Sequence, residues 1–239
     1  MKKGLLTKGL PAAAGLFLLG IGSCSTFGLK DAALLLSDIP RYNGTEYINR
    51  DTLSPDYFEA AGQTLDDPHI YLIFSDTGSP GSKLISLFTK DLYNHVSLAF
   101  DEALATMVSY NGGNGRNNPG LNQERLEDFY QKADAAVAVY KLASSREQKE
   151  IIINRIRQIN ERGSGYNLIG ILTRQNYRPN IMVCSHFVYT MLNAAGLLYF
   201  YKEGAEVKPM DFLRQNQGNL ALVHQIRVRD TLAGSGRIL

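Results

Sequence analysis

Pro179 and Gly196 bracket the stretch that most constrains the fold, "NIMVCSHFVYTMLNAAG" at residues 180–196. The residue before a proline is biased away from helix, so a helix cannot readily run through from upstream. Val183, Phe187, Val188, Met191, Leu192 and Ala195 then recur at helical spacing, and Gly196 suits a C-terminal stop. The spacing predicts an amphipathic helix, with Asn180 as its cap and Cys184 in or near its first turn. A helix start carries partial positive charge and unpaired N–H groups, which favour a thiolate and can hold an oxyanion. A cysteine on such a helix also reads as a small buried apolar residue.

A nucleophilic thiol needs a base from another element. His186 is two residues from Cys184, about 200° around the helix, and faces elsewhere. His95 opens a run, "NHVSLAFD" at residues 94–101, whose alternation puts His95, Ser97 and Ala99 on one face. Small neighbours leave room around the imidazole. His69 and His224 lie in or beside apolar strand patterns and read as structural or surface residues. A Cys–His pair usually has a third polar group that orients the ring. The following strand offers Thr106, Ser109 and Asn111, of which Ser109 is the first choice. Zinc sites want three or four ligands at recognisable spacing, and the sequence has no such set, so neither metal nor cofactor is expected.

The first 24 residues stand apart. "MKKGLLTK" is basic, "GLPAAAGLFLLGIGS" is apolar, and Cys24 follows. That order reads as an export signal, with a retained membrane anchor as the alternative. "LGIGSC" at residues 19–24 also resembles a bacterial lipobox, which would make Cys24 a lipidated mature N-terminus. Residues 1–23 hold three lysines and no acid. Without them 22 basic residues face 23 acidic ones, a net −1, so nucleic acid is not expected as a partner. Two cysteines permit one disulfide, Cys24–Cys184; a lipidated Cys24 leaves Cys184 a free thiol.

Residues 25–66 are rich in turn formers and read as a tether and lead-in, ahead of a domain over 67–239. Strands are expected at 69–76, 94–101, 105–113, 134–142 and 220–228, the second and third as a hairpin. Helices are expected at 83–92, 121–133, 166–176 and 180–195. A further helix opens on a capping box of Ser144 with Glu147 and ends near Gly163, with Ile152, Ile156 and Ile159 as its stripe. "NGGNGRNNPG" at 111–120 lacks the lysine of a phosphate loop and reads as a connection. Strands and helices alternate without a βαβ rhythm, which predicts an α+β fold.

"NHVSLAFD" upstream and "MVCSHFVYTMLNAAG" downstream, with Tyr166-Asn167 between them, resemble the circularly permuted NlpC-type papain-like cysteine hydrolases. These include YiiX-like amidases and lecithin:retinol acyltransferase-like proteins. The resemblance covers about residues 69–228. It implies a small antiparallel sheet packed on helices, with Cys184 as nucleophile and His95 as general base. Members carry His, Asn or Glu as the third group on the strand after the His; this chain has Met107, Ser109 or Asn111 in that region. The implied protein is an exported, envelope-located, lipid-anchored hydrolase. Its substrate would be a peptide-type amide, such as one in the cell wall, or a lipid acyl group. A non-catalytic envelope-binding module and an acyltransferase are the alternatives. The sequence gives no oligomeric state.

Overall fold

The computed structural model describes residues 46–76, 92–113, 117–129, 136–168 and 178–227. Their architecture is α+β. Six strands form one antiparallel sheet: β1 (His69–Ser75), β2 (His95–Ala99), β3 (Val108–Asn111), β4 (Gly120–Gln123), β5 (Ala136–Ala143) and β8 (Leu220–Arg227). Their order is β4-β3-β2-β1-β5-β8. Two short strands, β6 (Gly165–Tyr166) and β7 (Ile181–Met182), pair in parallel beside it.

Alternation sorts the sheet's side chains onto two faces. Ile70, Leu72, Phe74, Val96, Leu98 and Tyr110 join the main core under the helices. Tyr71, Ile73, Ala99, Met107 and Val139 join a smaller cluster on the opposite face, closed by Phe129. The helices are α1 (Pro55–Gln63), α2 (Arg146–Arg162), α3 (Cys184–Ala194) and α4 (Pro209–Arg214). Ile152, Ile156 and Ile159 are the buried stripe of α2, as their spacing predicts. The expected hairpin is β2–β3, with Leu98 opposite Val108.

Four expectations are corrected. The described part of the 25–66 lead-in is no tether. Ser54 caps α1, Pro55 takes its first position, and Leu53, Tyr57, Phe58 and Ala61 are buried in the main core. Their apolar spacing was masked by the turn-forming residues around them. The stretch 121–133 does not open as a helix. Leu121 pairs with Tyr110 in β4, and a short 3-10 turn follows at Leu126–Phe129. The capping box of α2 lies one residue later than expected, between Ser145 and Gln148. The expected helix over 166–176 starts later than expected: Tyr166 pairs in β6 against β7, Leu168 is helical, and 169–176 lie outside the described residues.

The expected signal, Cys24 and residues 83–91 of the expected helix at 83–92 lie outside the described residues, as do 169–177; Leu92 is exposed and not helical. Among the described residues no helix is long and apolar enough to cross a membrane.

Candidate active site

Cys184 is the first residue of α3, and Val183 is the N-cap. Asn180, the expected cap, sits further back at φ 61°, where asparagine is the best tolerated of the bulkier residues. Its carbonyl accepts from Gly165 N (3.1 Å) and Tyr110 Oη (3.1 Å), which pins the turn before β7. The chain then spends two residues as strand before it can start the helix. Valine offers no capping side chain, so the first N–H groups of α3 are left to other partners. At its far end α3 closes with Gly196 at φ 67°, Leu197 N on Leu192 O (2.8 Å) and Gly196 N on Asn193 O (3.1 Å). This double bond pattern needs a left-handed residue, which glycine supplies.

Helix α3 packs against β2 and β3. That packing brings Cys184 close enough to His95, the first residue of β2, for the thiol and the imidazole to interact electrostatically. Both are buried, Cys184 at 3% exposure and His95 at 7%. Cys184 is a free thiol.

On its other side the imidazole meets a residue that the sequence reading did not single out. His95 Nε2 lies 3.0 Å from Glu124 Oε1 and 3.1 Å from Oε2. Ser97 Oγ donates to Glu124 Oε2 at 2.5 Å and lies 3.2 Å from His95 Nε2. Asn111 Nδ2 donates to Glu124 Oε1 at 2.8 Å. Glu124 N donates to Met107 O at 2.9 Å, which fixes the residue just past β4. The ring of Phe129 stands 5.9 Å from that of His95. With Nε2 turned to the carboxylate, Nδ1 is the nitrogen left for the thiol. A carboxylate accepts only, so Nε2 carries the proton and Nδ1 can receive one.

The electrostatics follow from this arrangement. Burial alone would push the His95 imidazole down. The charge of Glu124, the charge on an ionised Cys184 and hydrogen bonds from both outweigh it, and hold His95 well above its ordinary 6.5. Burial would likewise push the Glu124 carboxyl up. The positive charge of His95 and hydrogen bonds from His95, Ser97 and Asn111 hold it below its ordinary 4.5. A carboxylate at 6% exposure is tolerable only with such a set of partners.

Ser109 does not orient the imidazole. Its hydroxyl donates to Val96 O at 2.8 Å, a cross-strand bond inside the sheet. Thr106 is spent on the turn after β2, where it bonds Asp101 and Phe100 N. Asn111 reaches the site through Glu124. His186 faces away from this pair, and its ring is covered by the backbone of Gly204. A Cβ there would fall 2.6 Å from His186 Nε2, which explains a glycine at 204. Burial pushes His186 down to about 4, so it is neutral at pH 7. His69 sits at the opposite end of β1 from Ser75, the cross-strand partner of His95, and lies 3.6 Å from Asp67. His224 is exposed on β8.

Glu124 is hidden in the sequence because 121–133 reads as a helix, whose charges belong on a solvated face. The signal was present in "VSYN…GLNQE". Two short runs flank a Gly/Asn loop, and alternation from Leu121 inward puts Asn122 and Glu124 together on the face opposite Leu121. Among the described residues no group of three or more His, Cys, Asp or Glu is placed to hold a metal ion. The chain matches no family model, no curated protein and no solved structure.

Proposed function

We propose that the chain is a cysteine hydrolase with Cys184 as nucleophile, His95 as general base and Glu124 as the group that orients His95. The observation that carries this reading is the buried line Cys184–His95–Glu124, with the cysteine at a helix start and one imidazole nitrogen committed to the carboxylate. With His95 held well above 6.5, the thiol proton already sits on its imidazole, and the Cys184 thiolate attacks a carbonyl carbon. The C–S bond forms, and the carbonyl oxygen becomes an oxyanion facing the N–H groups at the start of α3. Collapse breaks the bond to the leaving amine or alcohol, which receives the proton from the imidazolium. A thioester remains. Water, deprotonated by His95, attacks it, and the acid leaves as the thiol is restored.

The fold we assign to this domain is the permuted papain-like fold of the NlpC-type hydrolases. The supporting features are the antiparallel sheet, a His strand that precedes the Cys helix, and a Glu of the kind its members use as the third group. Glu124 beside His95 supplies a third group, which favours a reacting centre over a non-catalytic module on the same fold. The export-type N-terminus and lipobox support a lipid-anchored protein of the cell envelope that acts on a peptide-type amide or a lipid acyl group there.

The test uses an activated ester, p-nitrophenyl acetate. Wild-type protein should release nitrophenol and carry acetyl on the Cys184 peptide by mass spectrometry. Acetyl found on lysines alone, with Cys184 unmodified, would overturn the reading. Added amine acceptor distinguishes a transferase, which would form the acetamide in preference to acetate.

A further inference from the structure

Asn111 ends β3, and its amide orientation is fixed by what surrounds it. Its Oδ1 accepts from Asn122 Nδ2 (2.9 Å) and from Gly113 N (3.0 Å). An oxygen that receives two N–H groups cannot be exchanged with the amide nitrogen, so Nδ2 must face Glu124 Oε1, 2.8 Å away. Asn122 is 1% exposed and continues the chain of amides. Its Nδ2 also bonds the carbonyls of Asn118 (3.0 Å) and Gly120 (3.2 Å), and its Oδ1 accepts from Asn49 Nδ2 at 3.3 Å. Asn49, 2% exposed, also donates to Leu121 O at 2.7 Å and is clamped by paired backbone bonds with Ser164.

Glu124 faces His95 with both oxygens at nearly equal distance. Rotation of the carboxylate about its last bond would end that arrangement. Two donors oppose the rotation, one on each oxygen and from different strands: Ser97 on Oε2 and Asn111 on Oε1. Both are neutral. They hold the carboxylate without cancelling the charge that His95 feels, which a lysine or arginine in their place would do.

We propose that Asn111 is a positioning residue, the half-buried end of an amide chain from buried Asn49 through buried Asn122, that locks the Glu124 carboxylate against His95. The proposal rests on the reading of Cys184–His95–Glu124 as the reacting centre, but its test does not need turnover.

The test compares Asn111→Asp and Asn111→Ala in the full chain. Aspartate keeps the size and both accepted bonds, from Asn122 and Gly113, and reverses only the contact with Glu124. The Glu124 carboxyl is followed by carbon NMR against pH, beside a thermal midpoint. Both variants should move the Glu124 titration upward, Asn111→Asp by about one pH unit or more and Asn111→Ala by less. The thermal midpoint of Asn111→Asp should stay within a few degrees of wild type at acid pH. An unmoved Glu124 titration, with or without a lowered midpoint, would overturn the proposal and leave Asn111 a packing residue. If Asn111→Asp fails to fold, Asn111→Ala carries the same readout. A moved titration in a protein that takes no acetyl on Cys184 would keep the positioning role and sink the hydrolase reading instead.

Discussion

His95 and Glu124 form a buried pair whose two titrations lie on opposite sides of a shared window. The folded Glu124 carboxyl is held below 4.5, so its contribution to stability is complete above that value and lost as pH falls through the folded value. The folded His95 is held well above 6.5, so its contribution is complete below that value and lost as pH rises through the folded one. The lead of wild type over Glu124→Gln should therefore be largest between about pH 4.5 and 6.5, at roughly 3–5 kcal/mol. It should shrink on either side. Urea midpoints measured at pH 3.5, 5.5 and 8.5 check this, and a lead that keeps growing towards pH 8.5 would contradict it. At this scale half of the site was legible. Cys184 and His95 declare themselves by residue type, by position on a predicted helix or strand, and by order. Sequence points to Ser109 on the neighbouring strand because propensity cannot say which way a short loop returns. The third group lies beyond that loop, and only the β3–β4 pairing brings it home.

Elements here are set by their ends. Ser145 with Gln148 opens α2, Gly196 closes α3, and Ser54 with Pro55 opens α1. Such local chemistry is readable from sequence to within a residue or two, which is why α2 and α3 were found and the box was displaced by one position. What sequence could not show is how elements are tied to one another. Lys149 is fully buried in α2 and donates to Thr64 O (2.9 Å) and Phe100 O (3.0 Å), joining the exit of α1 to the exit of β2. Burial lowers its ammonium below the usual lysine range, although Asp67 and Asp101 oppose this. From sequence it is one more lysine in a helix rich in charge. Lys149→Ala would leave two carbonyls without their donor and a void beneath them. We expect a loss of roughly 2–4 kcal/mol by chemical denaturation. A loss under about 0.5 kcal/mol would show that water replaces the ammonium at no cost.

The whole molecule is held together across its sequence. Leu53, Tyr57 and Phe58 lie in the same core as α2 and the α3 residues that follow Cys184, and each large apolar side chain there contributes roughly 1.5–3 kcal/mol. Asn49 and Ser164 carry this tie to β4 and the edge of the candidate site. A chain begun at residue 67, where composition suggests the domain starts, should lose cooperative thermal unfolding, while one begun at Ser25 keeps it. Equal, sharp transitions in both would remove α1 from the core account. The central claim is that Cys184 and His95 act as one unit supported by Glu124, and its most direct test is the rate of Cys184 alkylation by iodoacetamide at pH 7. The account predicts that His95→Ala slows this reaction at least about 10-fold in a protein that still unfolds cooperatively, with Glu124→Gln in between. Equal rates in all three proteins would mean that Cys184 is a buried apolar residue beside a histidine, and the hydrolase reading would fall.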